Sequence, residues 1–190
     1  MTTKQGFLAM LVQINCNKLV QKTINFHSGL NPVIGDDVAT NSVGKSIMLM
    51  IIDFVFGGKG YVTKKRDVFE NIGDHTFNFI FEFGKEKFFF SRSTSNYTVV
   101  TICNEKFENI EHITLAQYNN FLQGKYNCSF EDTTFREIIG RYFRIYGKEN
   151  LNEKKPIQYF DKEPYKQSLI AILKLFDRYK DVNQLNSHVE

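Results

Sequence analysis

The chain has no apolar run long enough to cross a bilayer. The longest, Ile47 to Phe56, is interrupted by Asp53 and falls short of the roughly 20 residues a membrane helix needs. No basic segment followed by a long apolar run opens the sequence, so no secretion signal is expected. Cysteine is scarce: Cys16, Cys103 and Cys128 are odd in number, far apart and without metal-ligand spacing. Reduced, buried thiols in a cytoplasmic protein are the expectation. A net charge of +3 is too small to announce a nucleic-acid partner. Tryptophan is absent, and so is any internal repeat or low-complexity tract.

What is present describes a globular domain. Apolar residues make up 42% and charged residues 24% of 190 positions, so residues 1–190 are expected to form one soluble domain with a proper core. Gly44-Lys45-Ser46 stands between a short apolar stretch, Pro32 to Ile34, and an apolar helical run from Ser46 to Phe56. A strand, a polar loop, G-K-S and a helix, in that order, are the parts of a phosphate-binding loop. In such a loop, backbone N–H groups and the positive end of the helix face a phosphate. Lys45 would reach the outer phosphates of ATP, and the Ser46 hydroxyl would ligate Mg²⁺. The spacing departs from G-x-x-x-x-G-K-[ST]: Ala39 stands where the first glycine belongs, and Gly35 is the nearest glycine upstream.

From Phe26 to Gly58 the pattern F..GLN.I.G…NS.GKS…I.DFVFGG resembles the N-terminal lobe of an SMC/RecN-like, ABC-type ATPase head. The lengthened loop is similar to that of a bacterial branch of SMC-like proteins tied to mobile-element or phage defence. The resemblance is looser from there to Phe176. It implies nucleotide binding by Gly44, Lys45 and Ser46, with Asn41, Ser42 and Val43 as loop backbone. It also implies a P-loop NTPase half-domain of α/β class: a mixed sheet, an antiparallel meander and flanking helices. Its implied partners are a C-terminal ATPase lobe or second head, with DNA in the full assembly.

Other elements follow from periodicity. Phe7 to Ile14 is apolar nearly throughout, as in a strand buried on both faces, and Leu19 to Phe26 reads as its returning neighbour. Phe77 to Phe83 alternates with period two; Lys87 to Ser93 and Tyr97 to Cys103 follow after tight turns, making a meander. Arg92 is expected at the surface, and Asp53 in a polar contact on the helix surface. Lys59, Lys64, Lys65 and Arg66 form a basic patch whose simplest reading is a solvated loop. Thr114-x-x-Gln117 and Thr134-x-x-Glu137 are capping boxes, the first opening a helix closed by Gly124. The second opens a helix carrying Phe135, Ile138, Ile139, Tyr142, Phe143 and Tyr146 to Gly147, with Arg136, Arg141 and Arg144 on a solvated side. By the resemblance, Gln117 and Gln158 are candidates for the ABC-type glutamine that contacts Mg²⁺, a helix-capping role explaining Gln117 as well. A last helix, about 164–181, begins at Pro164 and, by the resemblance, leads towards a coiled coil.

Two parts of a complete ATPase are missing. Leu169 to Asp177 is the nearest approach to a Walker B strand, but Lys174 interrupts it and its spacing is helical. No signature stretch of serine and paired glycines occurs. No catalytic residue is assigned, and the reading is half an ATPase head that hydrolyses ATP only when a C-terminal lobe and head dimerisation complete it. The alternatives are a self-contained P-loop NTPase or kinase, and a non-catalytic interaction module with a relic loop.

Overall fold

The structure is a computed structural model and describes residues 9–33, 42–64, 70–130, 133–143, 152–160, 162–176 and 178–179. Its strands are β1 (Ala9–Asn15), β2 (Thr23–Asn25), β3 (Thr76–Phe83), β4 (Glu86–Ser93), β5 (Val99–Cys103) and β6 (Asn109–Thr114). Its helices are α1 (Ser42–Val55), α2 (Gly60–Lys64), α3 (Leu115–Lys125), α4 (Phe135–Tyr142) and α5 (Tyr165–Leu175).

The strands form a single six-stranded sheet, ordered β2-β1-β3-β4-β5-β6. Every pairing among the described residues is antiparallel. The α/β class and the meander are as expected, whereas the mixed sheet is not. Of the apolar stretch Pro32 to Ile34, expected as the strand before the loop, Pro32 and Val33 lie outside the sheet and Ile34 lies outside the described residues.

β3 sets the inner face. Phe77, Phe79, Phe81 and Phe83 alternate with half-buried Asn78, Ile80 and Glu82, as a period-two pattern demands. Across the ladder, Phe77 faces Arg92, Phe79 faces Phe90 and Phe81 faces Phe88. Arg92 therefore points into the core, because it shares a face with two phenylalanines. Its predicted surface position is wrong for that reason.

β1 has the opposite surprise. Its pairing with β3 slips between Leu11 and Gln13, leaving Val12 extra. A bulge of this kind breaks the alternation, so Leu11 opposes Phe81 and Ile14 opposes Phe79 on the same inner face. The continuous apolar run thus records a bulge, and Val12 and Gln13 are only half-buried.

α1 and α3 cover that face. Phe54 meets Phe77 edge-on at 5.7 Å between centroids, Phe56 meets Phe81 at 5.1 Å, and Tyr118 meets Phe90 at 5.1 Å. Both capping boxes form: Gln117 and Glu137 each bond back to the threonine that opens their helix. α3 runs past Gly124 to Lys125, with Tyr126 as its C-cap. α4 stops at Tyr142 with Phe143 as its cap; Arg144, Tyr146 and Gly147 lie outside the described residues. α5 ends at Leu175, short of 181.

Candidate phosphate site and the anchored end of its helix

α1 begins at Ser42, so Gly44-Lys45-Ser46 occupies its opening turn. Gly44 and Lys45 are exposed and Ser46 is half-buried. Asn41 lies outside the described residues, while Ser42 and Val43 supply helix backbone. A Cβ at Gly44 would meet nothing within 4 Å. No acidic residue stands in the first turn. Among the described residues no ion pair engages Lys45. The first N–H groups of a helix carry partial positive charge, which is the chemistry by which such a turn could hold a phosphate.

Just upstream, the GLN segment folds on itself. The Asn31 side chain donates to the carbonyls of His27 (2.8 Å) and Gly29 (3.1 Å), and its Oδ1 accepts from the His27 amide at 3.0 Å. Leu30 and Val33 are left exposed, at 82% and 49%, as is Leu49 on α1 at 41%. α1 is accordingly not buried all round: Met50, Ile51, Phe54 and Val55 form its inward stripe.

The far end of α1 is held much more firmly. Its last turn contains no basic residue of its own, yet its carbonyls need donors and its negative partial charge favours cations. Three other elements supply them. Arg92 of β4 donates through Nη1 to Phe54 O and to Gly58 O (3.0 Å), and through Nε to Tyr97 O (2.9 Å). Its guanidinium also lies over the Phe54 ring, 3.9 Å from the centroid. Tyr118 of α3 donates to Val55 O at 2.8 Å. Arg136 of α4 donates to Phe56 O at 2.7 Å and pairs with the Asp53 carboxylate.

Burial lowers the Arg92 pKa from 12.5 to about 10, and Arg136 adds to the fall while Tyr118 and Asp53 oppose it; it remains a cation at neutral pH. Burial also pushes the Tyr118 hydroxyl well above 10, despite both arginines, which keeps it a donor. Asp53 is 2% exposed, so its expected place at the helix surface is corrected to a buried ion pair. It sits seven residues past Ser46, about 10 Å along the axis at 1.5 Å per residue, at the wrong end to serve phosphates.

Gly57 and Gly58 close the turn. Gly57 has φ +84°, and a Cβ on Gly58 would run into the Asp53 carboxylate and backbone. Beside them lies a cleft of about 490 Å³, bordered by Asp53, Lys59, Asn119, Arg136 and Tyr159.

Of the arginines expected on a solvated face of α4, Arg136 and Arg141 are engaged instead, and Arg144 lies outside the described residues. Arg141 makes a two-pronged pair with Glu163, 3.0 Å on each arm, and Glu163 accepts further bonds from Ser168 Oγ and the Tyr159 amide. Burial alone would raise Glu163, but the bonds from Arg141, Ser168 and Tyr159 outweigh it and hold the carboxyl below its ordinary value. Gln117 is committed to its cap through Oε1, and Gln158 is buried in the segment before α5. Lys59 and Lys64 are exposed around α2, where a loop was expected; Lys65 and Arg66 lie outside the described residues.

Among the described residues, no three His, Cys, Asp or Glu side chains gather into a metal-binding group, and no helix is long and apolar enough to cross a membrane. Comparison with protein-family models, curated proteins and solved structures finds no match.

Proposed function

We propose that this chain is an ATP-binding lobe of an SMC/RecN-like ATPase. The observation that carries the reading is Gly44-Lys45-Ser46 in the exposed opening turn of α1, free of acidic neighbours in that turn and with nothing within 4 Å of a Cβ on Gly44. Lys45 would hold the outer phosphates, and Ser46 would hold Mg²⁺, which neutralises phosphate charge when bound. Hydrolysis belongs to the completed assembly. Phosphoryl transfer requires a group that orients water, and the carboxylate on α1, Asp53, is committed to Arg136 at the other end of the helix. A C-terminal lobe and a second head would supply the remainder, in a machine acting in DNA repair or mobile-element and phage defence. The exposed Leu30, Val33 and Leu49 beside the loop in sequence support an incomplete surface there.

Titration of Mg-ATP against the 190-residue chain tests this. About four or five charge-assisted bonds at roughly 1.5–3 kcal/mol each, set against about 4–15 kcal/mol for immobilising the ligand, leave micromolar-to-millimolar affinity at best. Lys45→Ala should abolish binding and leave the far-ultraviolet dichroism unchanged. Equal affinity in wild type and variant would overturn the assignment, and steady hydrolysis lost in the variant would show that the chain carries its own catalytic half.

A further inference from the structure

We infer that Arg136 is a positioning residue, through which α4 sets the pose of α1 and hence of its phosphate-facing turn. As regards the ligand, the inference rests on the nucleotide-binding reading; the mechanical link itself does not. Helix α4 carries two arginines that engage buried carboxylates in opposite directions along the chain. Arg136 reaches back 83 residues to Asp53, and Arg141 reaches forward 22 residues to Glu163 at the start of α5. Both carboxylates are nearly inaccessible, at 2% and 6% exposure. Each pair is therefore costly to break and geometrically strict. A displacement of α4 or α5 cannot be absorbed at a loose surface contact.

What Arg136 grips is also specific. One guanidinium bonds both the Asp53 side chain and the Phe56 carbonyl, so it fixes the rotation of α1 as well as the position of its end. α1 has 14 residues, or about 21 Å at 1.5 Å per residue. A small tilt at the gripped end becomes a larger excursion at Lys45, where the helix is exposed. Both residues border the cleft beside Gly57–Gly60, where the Arg136 side chain keeps 20% exposure and the Asp53 side chain only 3%.

Hydrogen exchange on the full chain, with and without Mg-ATP, separates positioning from local bracing. The informative amides are Ser46 to Leu49, whose helical acceptors are the carbonyls of Ser42 to Lys45. Under fully folded conditions, Arg136→Gln should speed their exchange about fivefold or more and weaken Mg-ATP by a similar factor. Asp53→Asn should do the same, and the double variant should add little to either single change. Arg136→Lys, which keeps the charge for Asp53 but loses the fork, should fall between and serves if the glutamine variant does not fold. In the wild type, Mg-ATP should in turn shift the Arg136 guanidinium resonances, since coupling is reciprocal.

Faster exchange confined to Phe56, Gly57 and Gly58, with Mg-ATP affinity unchanged, would overturn the inference and leave the nucleotide reading intact. Propagation to Ser46–Leu49 in a protein whose wild type binds no Mg-ATP would sustain the mechanical link and sink the nucleotide reading instead.

Discussion

Replacing Arg92 with Met sets two large effects against each other. Methionine keeps most of the aliphatic stem but removes the guanidinium that lies over Phe54 and, with it, the donors to Phe54 O, Gly58 O and Tyr97 O. Four bonds from a cation to carbonyls are lost, and at about 1.5 kcal/mol each, the low end for charged donors, that is roughly 6 kcal/mol. In the other direction, the substitution relieves the cost of holding a cation away from water. The fall of Arg92 from 12.5 to about 10 corresponds to about 3 kcal/mol at 1.36 kcal/mol per unit. The bonds win, and a net destabilisation of about 3 kcal/mol follows.

That is a large share of the 5–15 kcal/mol typical of a domain. For a chain of this size it lowers Tm by about 6–12 °C. Calorimetry and urea unfolding at pH 7 read the two quantities independently. The outcome is not forced, because well-packed apolar replacements of buried charges are often neutral or stabilising. An Arg92→Met protein within about 1 kcal/mol of wild type, or more stable than it, would refute the claim that carbonyl capping, and not packing, explains the buried arginine.

Two further outcomes follow from the same geometry. The Glu163 carboxyl sits below its ordinary 4.5, so the stability it contributes is complete above that value and is lost as pH falls through the lower folded value; Glu163→Gln should cost about 3–5 kcal/mol at pH 7 by stranding Arg141 and should flatten the acid limb of a urea-midpoint profile, an unchanged acid limb counting against the bridge. Gly58→Ala should cost about 1–3 kcal/mol and disturb the Arg136 resonances, because the new methyl meets the Asp53 backbone as well as its carboxylate; a silent substitution would mean that the turn is looser than described.

The elements legible in the sequence were those whose pattern is local. Phe77 to Phe83 alternates strictly, and both capping boxes formed on the predicted threonines. β6 was not legible. Its Asn-Ile-Glu-His-Ile-Thr run is exposed at all positions but Ile113, and what makes it a strand is pairing with β5, preceded by a turn in which Asn104 Oδ1 accepts the amides of Lys106 and Glu108. The charged residues were misread for a related reason. Arg92, Arg136 and Arg141 read as solvent-facing and Asp53 as a surface polar contact, whereas Arg92 bonds Phe54 O 38 positions away, Arg136 pairs with Asp53 83 positions away and Arg141 with Glu163 22 positions away. One signal was available: the alternation Phe88, Phe90, Arg92 puts the arginine on the inner face.

The distribution of polar side chains along α1 has a single physical logic. A helix carries partial positive charge at its start and partial negative charge at its end, and each end leaves backbone groups unpaired. At the end of α1 this chain answers both demands from within, using a strand and two other helices. At the start it places Gly44 and Lys45 in the open and Ser46 half-buried, with no carboxylate in the turn. A core helix with no outside role would gain from an acidic residue in that turn, by about 0.3–1 kcal/mol. Substituting Gly44, where a Cβ meets nothing within 4 Å, with Asp would therefore stabilise the chain if the turn is merely structural. If the turn is built for an anion, the same substitution should abolish Mg-ATP binding while leaving Tm equal or higher. Undiminished binding in that variant would remove the phosphate from the argument.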